Sequence, residues 1–344
     1  VSDLKAAIIG CGGRARGHAE AYVRVDGVQL AAVTDVDRKR ADDFSGTYGA
    51  PAFYDATEML EKVRPDIVSV VTRAKDRCEV VSLCAQYQVK GINAEKPMAI
   101  TLEEADRMVK ACEEAGTALT ISHQMRYCPE FERGKQAIES GEIGEVYFLR
   151  GVCYGNLMNQ GTHVIDMLRW FMGDARVSWV MAQADEWDSP KRDPGHPAPM
   201  WTLGYLAFEN GVRATLESGP RYTPAVGTTP GWLNKRVEAL GTEGVVDSVV
   251  GNYCRVLTAA GGGWQGTEIG VEGWNNATIR FTEDLVRVVR EGGKHRNGAE
   301  TSHHTFEVIQ ALAESANRGG IVALPLPREG RDPLGELIAA HPAA

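Results

Sequence analysis

The chain has 344 residues, 43% of them hydrophobic and 24% charged, an ordinary globular composition with room for two domains that each bury a core. Its net charge of −9 has no long basic cluster to offset it, which argues against nucleic acid and anionic membrane as partners. No run approaches the roughly 20 apolar residues of a membrane helix, and VSDLK leads into the first strand without a secretory signal pattern. The seven scattered cysteines lack metal-type spacing and read as reduced thiols, so a cytoplasmic location and no bound metal are expected.

In chain order, LKAAIIG, VQLAAVTD, DIVSVVT, VKGINAE and ALTIS are short apolar, β-branched runs. Helical periodicity separates them over 14–25, 38–48, 55–63, 76–88 and 102–115. Near-continuous apolar strands alternating with helices predict a doubly wound parallel sheet covered on both faces. Asp55 is placed to cap ATEMLEKV, and Gly116 follows ADRMVKACEEA where a C-terminal glycine belongs. After a helix near 129–140 the texture changes. VYFLRGVCYG, RVSWVMAQADEW, MWTLGYLAFENG, VRATLESG, KRVEALGT and NYCRVLTAA read as strands of a largely antiparallel sheet, and the Asn-Gly of FENGVRATLE marks a hairpin. Helical character returns at 163–172, 279–291 and 301–318, and two Gly/Pro-rich loops, 187–200 and 218–233, stand out as loops of the kind that carry binding residues. The division expected is 1–122, 123–320 and a strand or tail at 321–344 that returns toward the body of the protein.

Gly10, Gly12 and Ala15 fit G-x-G-x-x-[GA] at a strand-to-helix turn, with Gly13 and Arg14 inside it. The first glycine permits the turn, the second lets a pyrophosphate approach the backbone, and the small third residue lets helix and strand pack. Alone the pattern is weak, since an ordinary tight turn produces it too. Asp35, about 20 residues on at the end of VQLAAVTD, strengthens it, because a carboxylate there accepts hydrogen bonds from an adenosine ribose and repels a 2′-phosphate. Asp37 is better placed than Asp35 to cap the following helix. NAD is preferred to NADP, with Arg38 and Lys39 leaving some room for the phosphate.

Two later stretches bear on the chemistry. Glu95-Lys96-Pro97 closes an apolar strand, and strand C-termini in such a sheet face the ligand crevice, so Lys96 is expected on its floor. A lone lysine there otherwise reads as a surface residue. His163, Asp166, Met167 and Trp170 share one helix face, with His163 at the helix start. Without further context, His163 and Asp166 read as a hydrogen-bonded pair supporting a core helix.

The order G-x-G-x-x-[GA], EKP, ISHQMRYCPEFERGKQAIESGEIGEVYFLRG, then x-G-x-H-x-x-D-x-x-x-W resembles the glucose–fructose oxidoreductase / inositol dehydrogenase family, as does TSHHTFEVIQALAESANRGGIVALPL near the end. The similarity spans nearly the whole chain. It implies an N-terminal Rossmann domain and a C-terminal α/β domain with an open, mostly antiparallel sheet, through which members form dimers or tetramers. It also implies hydride transfer between a nicotinamide cofactor and a carbinol or carbonyl carbon of a sugar, sugar derivative or cyclitol. Lys96 matches the lysine that holds the reacting hydroxyl near the nicotinamide, and His163 the histidine assigned to proton transfer. Arg126 and Tyr127 match an arginine–aromatic pair near the cleft. Thr72 and Glu95 join the cofactor-binding set, and Gln124, Arg126, Tyr154 and Asn159 are candidates for orienting hydroxyls.

Departures are equally visible. Asn159 stands four residues before the histidine where many members have Asp, and an amide cannot relay a proton. The loop after DIVSVVT reads Thr72-Arg73-Ala74-Lys75-Asp76-Arg77, whose added positive charges either meet an acidic substrate group or lie in a solvated loop. The expected mechanism has neutral His163 as the base, its ordinary pKa of about 6.5 suiting that task, and Lys96 stabilising the alkoxide. Lys96 as base is the alternative, and requires its pKa to fall by several units. Two rival classes remain: a redox-neutral NAD-dependent glycosidase or lyase that oxidises the sugar transiently, and a non-catalytic NAD-dependent sensor, which would have no use for Lys96 or His163.

Overall fold

In the computed structural model, residues 3–185, 196–220, 233–328 and 330–341 are described; the loops expected at 187–200 and 218–233 fall largely outside them. The first unit comprises residues 1–124 together with 278–303. Its strands are β1 (Leu4–Ile9), β2 (Val28–Thr34), β3 (Ala52–Phe53), β4 (Ile67–Val70), β5 (Gly91–Ala94) and β6 (Ala118–Ile121). They form one six-stranded sheet in the order β3-β2-β1-β4-β5-β6, with every pairing parallel. Ala6, Ile8, Ile67, Val68, Ile92 and Ala94 are fully buried, which is why these strands read as unbroken apolar runs. The order reverses between β1 and β4, and a crevice opens at the strand C-termini of such a switch point.

Local signals set the helices. Asp55 accepts from the Glu58 amide at 2.8 Å at the start of Ala56–Val63. Asp37 caps Arg38–Tyr48 through the Arg40 amide, which leaves Asp35 to other work. Thr101 and Glu104 form a reciprocal capping box on Leu102–Ala115, and Gly116 ends that helix in the left-handed region at φ 67°.

The expected domain boundaries need correcting in one respect. The stretch 123–320 is not one continuous second domain, because residues 278–303 return to the first unit. Leu285 and Val286 join its core with Ile8, Ala19 and Tyr22, and the Ile121 amide donates to the Asn297 carbonyl at 3.2 Å. Gly91 is required here, since a β-carbon on it would stand 2.7 Å from a Val289 methyl.

The second unit comprises 125–277 and 304–344. Its strands are β7 (Val146–Tyr154), β8 (Val177–Asp185), β9 (Trp201–Phe208), β10 (Arg213–Gly219), β11 (Lys235–Gly241), β12 (Gly244–Val249), β13 (Tyr253–Thr258), β14 (Gly263–Glu268) and β15 (Val322–Ala323). The sheet order is β14-β13-β12-β11-β7-β10-β9-β8-β15, antiparallel throughout except where β10 runs parallel to β7. β9 and β10 form the expected hairpin around Asn210-Gly211. The tail is part of this unit, with β15 pairing on the β8 edge.

One face of this sheet is covered. Leu149, Gly151 and Cys153 lie under the helix Thr162–Phe171, and a β-carbon on Gly151 would meet Val164 at 2.4 Å. The other face is open. Phe148 and Tyr205 meet there, Trp179 stacks on Tyr205 with ring centroids 5.6 Å apart, and Met181 and Leu203 are exposed. Among the described residues no helix is long and apolar enough to cross a membrane.

Candidate functional site

In the first unit the candidate residues gather at the C-terminal ends of β1, β2, β4 and β5. Gly10 has φ 98°, and a β-carbon there would lie 2.7 Å from the Val71 carbonyl oxygen, a backbone atom with no freedom to move aside. Only glycine fits. At Gly12 and Gly13 a β-carbon would meet nothing within 4 Å, so the loop leaves open space on its outer side. Ala15 is fully buried at the start of the helix Ala15–Arg24. Asp35 is half-buried at the end of β2, where its carboxylate accepts from the Cys11 amide at 2.8 Å and the Asp37 amide at 2.9 Å. It is therefore fixed beside the glycine loop. Thr72, after β4, carries a buried hydroxyl with no hydrogen-bond partner. An open glycine cradle at a helix N-terminus, a fixed carboxylate beside it and an orphaned buried hydroxyl suit a dinucleotide.

The Glu95-Lys96-Pro97 segment leaves β5 with a cis Lys96–Pro97 bond, and Lys96 is half-buried. Glu95 is buried. Its Oε1 accepts from Arg14 Nε at 2.6 Å and from His18 Nε2 at 3.0 Å, and its Oε2 accepts from the Lys96 amide at 3.2 Å. Burial alone would raise this carboxyl, but Arg14, His18 and Lys96 together hold it far below the usual carboxylate range. Gln124 is also buried. With its amide turned to satisfy both neighbours, its nitrogen donates to the Ser122 carbonyl at 2.8 Å and its oxygen accepts from Arg14 Nη2 at 3.2 Å. Gln124 therefore serves the Arg14 cluster rather than presenting its amide as a hydroxyl-orienting group.

The positive charges expected on a loop after β4 lie at the start of the helix Ala74–Gln86 and divide in two. Arg73 and Lys75 are exposed, but Arg77 is buried and donates to the Thr72 carbonyl at 2.6 Å and to the Pro97 carbonyl. Burial pulls its pKa down to about 10. Arg77 thus ties the β4 loop to the segment that carries Lys96. Arg77 lies at the start of the helix Ala74–Gln86, and nothing in the local sequence marks this inward turn.

In the second unit a π-turn, Leu157–Gly161, leads into the helix Thr162–Phe171. Asn156 caps the turn by accepting from the Asn159 amide at 2.8 Å and donates to the His196 carbonyl at 2.9 Å. Asn159 is half-buried, with its side-chain oxygen accepting from Gln160 at 3.2 Å. His163, buried in the first helical turn, meets Trp274 edge-on with ring centroids 6.3 Å apart. The ammonium of Lys235 lies over the same indole, 5.3 Å from the ring centroid. Lys235 and Trp274 were not anticipated, although Lys235 shares the inward alternation of Val237 and Ala239 in KRVEALG.

Two expectations are corrected here. Arg126 is fully buried and doubly paired: Nε and Nη2 donate to Asp166 at 2.9 and 2.7 Å, and Nη1 and Nη2 donate to Asp174 at 2.9 and 2.7 Å. It fixes the helix that carries His163 and does not present its guanidinium as a hydroxyl-orienting group. Asp166 in turn has both oxygens on Arg126. Tyr154 ends β7 at 40% exposure, in the outward alternation of Phe148 and Val152, away from the helix-covered face that holds His163. All seven cysteines are free and buried, and burial pushes the Cys11 thiol up to about 12 and Cys153 to about 11, so neither supplies a ready thiolate.

Residues 4–123 match the oxidoreductase family described as an NAD-binding Rossmann fold, and residues 151–324 match the C-terminal alpha/beta domain of the same family. The chain belongs to this oxidoreductase family. Among curated relatives, this oxidoreductase is 26% identical to D-apiose dehydrogenase of Paraburkholderia graminis, over 94% of this chain and 90% of the relative. It is 28% identical to myo-inositol 2-dehydrogenase of Thermotoga maritima, over 50% of this chain and 55% of that one. Among solved structures it is similar to a levoglucosan dehydrogenase in complex with NADH, with TM-score 0.84 and 21% identity over 95% of this chain and all of the other. The cofactor of this NAD-dependent oxidoreductase is thus the one its glycine cradle and Asp35 suit.

Proposed function

We propose that this oxidoreductase interconverts a CH–OH and a C=O carbon of a sugar, sugar derivative or cyclitol, with Lys96 and His163 acting on the reacting oxygen. One observation carries the reading: the strand ends that form the NAD cradle also present a lysine whose backbone is fixed by a buried carboxylate. The curated relatives named above are dehydrogenases of D-apiose and of myo-inositol, which supports the substrate class.

Bound NAD supplies the hydride acceptor. Gly10, Gly12, Gly13 and the start of the helix Ala15–Arg24 would hold its phosphates, Asp35 would hold its ribose, and Thr72 would offer its hydroxyl. The Lys96 ammonium donates to the substrate oxygen as negative charge develops there. The His163 imidazole takes the hydroxyl proton during oxidation and returns it during reduction. Asn159 orients a neighbouring hydroxyl and takes no part in proton transfer, because an amide neither gains nor loses a proton in this pH range. Arg126 acts through position, holding the His163 helix on Asp166 and Asp174. The open sheet face, with Trp179, Tyr205, Met181 and Leu203, is proposed as the surface through which copies form a dimer or tetramer. The buried free thiols fit a reducing cytoplasm.

The test is near-ultraviolet absorbance of reduced nicotinamide with NAD and a panel of sugars, cyclitols, glycosides and sugar acids. Steady NADH formation with one group is the expected result. K96A is expected to lower kcat on the order of 10²–10³-fold with NAD affinity retained. Intact turnover in K96A overturns the assignment. Product without net NADH replaces it with the redox-neutral reaction.

A further inference from the structure

The core of the first unit contains a chain of polar side chains where a parallel sheet ordinarily holds only apolar ones. Tyr22 Oη lies 2.7 Å from Ser69 Oγ, Ser69 Oγ 3.0 Å from His18 Nδ1, and His18 Nε2 3.0 Å from Glu95. Asn93 Nδ2 approaches His18 Nδ1 at 3.3 Å, while its Oδ1 accepts from Ser122 Oγ at 2.9 Å. All six residues are buried.

The directions of these bonds follow from valence. Glu95, held ionised, can only accept, so His18 Nε2 must carry the proton of their bond, and a neutral ring then has a lone pair alone at Nδ1, facing Asn93 Nδ2 and Ser69 Oγ. Nδ1 is therefore the acceptor, and the single proton of a neutral imidazole sits on Nε2, where it donates to Glu95. Burial lowers the His18 pKa, with the Glu95 hydrogen bond only partly opposing, which keeps the ring in that neutral form. The charged groups facing Glu95 are Arg14 from the glycine loop, Lys96 beside it and Arg77 from the next helix. One carboxylate thus receives the glycine loop through Arg14, the first helix through His18, and the backbone of Lys96.

We infer that Glu95, held on Arg14 and His18, is the positioning residue for Lys96, so that one buried carboxylate sets both the cofactor loop and the lysine. His18 contributes a neutral donor that fills the second lone pair of Oε1 without adding charge. The inference rests on the reading of Lys96 as the group that meets the substrate oxygen.

The substitution E95Q makes it testable because it changes one acceptor and little volume. The amide oxygen will turn to Arg14 and His18, where two donors converge, and the amide nitrogen then faces the Lys96 N–H, donor against donor. kcat/KM should fall about tenfold to a hundredfold, the loss of a hydrogen bond to a charged group, and by more than any fall in NAD affinity measured by calorimetry. Independently of turnover, 15N chemical shifts of the His18 ring in the protein without cofactor should show the neutral Nε2–H form from pH 5 to 8. Wild-type kcat/KM in E95Q, equal loss of NAD binding and turnover, or an Nδ1–H or titrating His18 would each overturn the inference. Intact turnover in K96A alongside the expected ring shifts would instead defeat the functional reading and leave the hydrogen-bond network standing.

Discussion

Two buried glutamates, one in each unit, behave in opposite ways. Glu95 at the end of β5 faces Arg14, His18 and the Lys96 amide, and is held ionised. Glu130, in the first turn of the helix Pro129–Glu139, accepts from the Gly251 amide at 2.7 Å through Oε1, while its Oε2 is buried without a partner. Burial pushes its carboxyl up to about 7, and the Gly251 bond offsets only part of that rise. The contrast teaches that burial alone decides nothing about charge. A carboxylate stays ionised inside a protein where a cation and several donors meet it, and becomes a proton carrier where they do not.

The sharpest way to break this contrast is to create a second stranded carboxylate. R126L would take the guanidinium away from both oxygens of the fully buried Asp166, while Asp174, one-third exposed, turns to water. Removing one partner of a buried pair costs about 3–5 kcal/mol. Urea unfolding should show that loss, and R126L/D166L should recover part of it, because the stranded charge is then gone. Equal stability of R126L and wild type would mean that the pair contributes nothing to the second unit.

The next effect lies at Glu130 itself and carries a defined sign. Its folded pKa, about 7, lies above the unfolded value, so the protonated carboxyl adds stability at low pH that is lost as pH rises through 7. Wild type should lose about 2–3 kcal/mol between pH 5 and 8 from this group, and E130Q should not. Glu95 has the opposite sign: its contribution is present above the unfolded value and disappears only in strong acid. A parallel pH dependence in E130Q and wild type would show that Glu130 is ionised throughout.

These two carboxyls also show what was legible in advance. Features encoded by local periodicity were readable: the apolar strands of the parallel sheet, the Asp55 and Gly116 helix ends, the Asn-Gly hairpin and the glycine loop with Asp35. Each depends on residues within a few positions of one another, or on one fixed distance along the chain. What was missed depends on partners far apart in sequence. Arg126 reads as a polar residue near a site, and only its meeting with Asp166 and Asp174, 40 and 48 positions away, makes it an internal clamp. Arg77 reads as one more charge on a loop until Pro97 and Thr72 converge on it. The return of 278–303 to the first unit has no local signature at all, because Leu285 and Val289 would suit any apolar face. The short strand GVVDSV was likewise passed over, since its pairing with KRVEALG is set by the sheet around it.

The smallest effect comes from a carboxylate in a third setting. Glu104 is half-buried in the capping box, where its Oε2 accepts from the Ile100 amide at 2.9 Å and the Thr101 amide at 3.3 Å, while Thr101 Oγ1 accepts from the Glu104 amide at 3.2 Å. T101A removes only the last of these bonds, and water reaches the freed amide. The cost should be about 1 kcal/mol, as for other N-cap losses, and it should be the same at pH 5 and pH 8, because the bond lost joins a hydroxyl to a backbone amide. A cost that grew with pH would mean that the cap is coupled to the buried carboxylates. A uniform one means that the cap is a local device of this helix, set by Thr101 and the Glu104 amide alone.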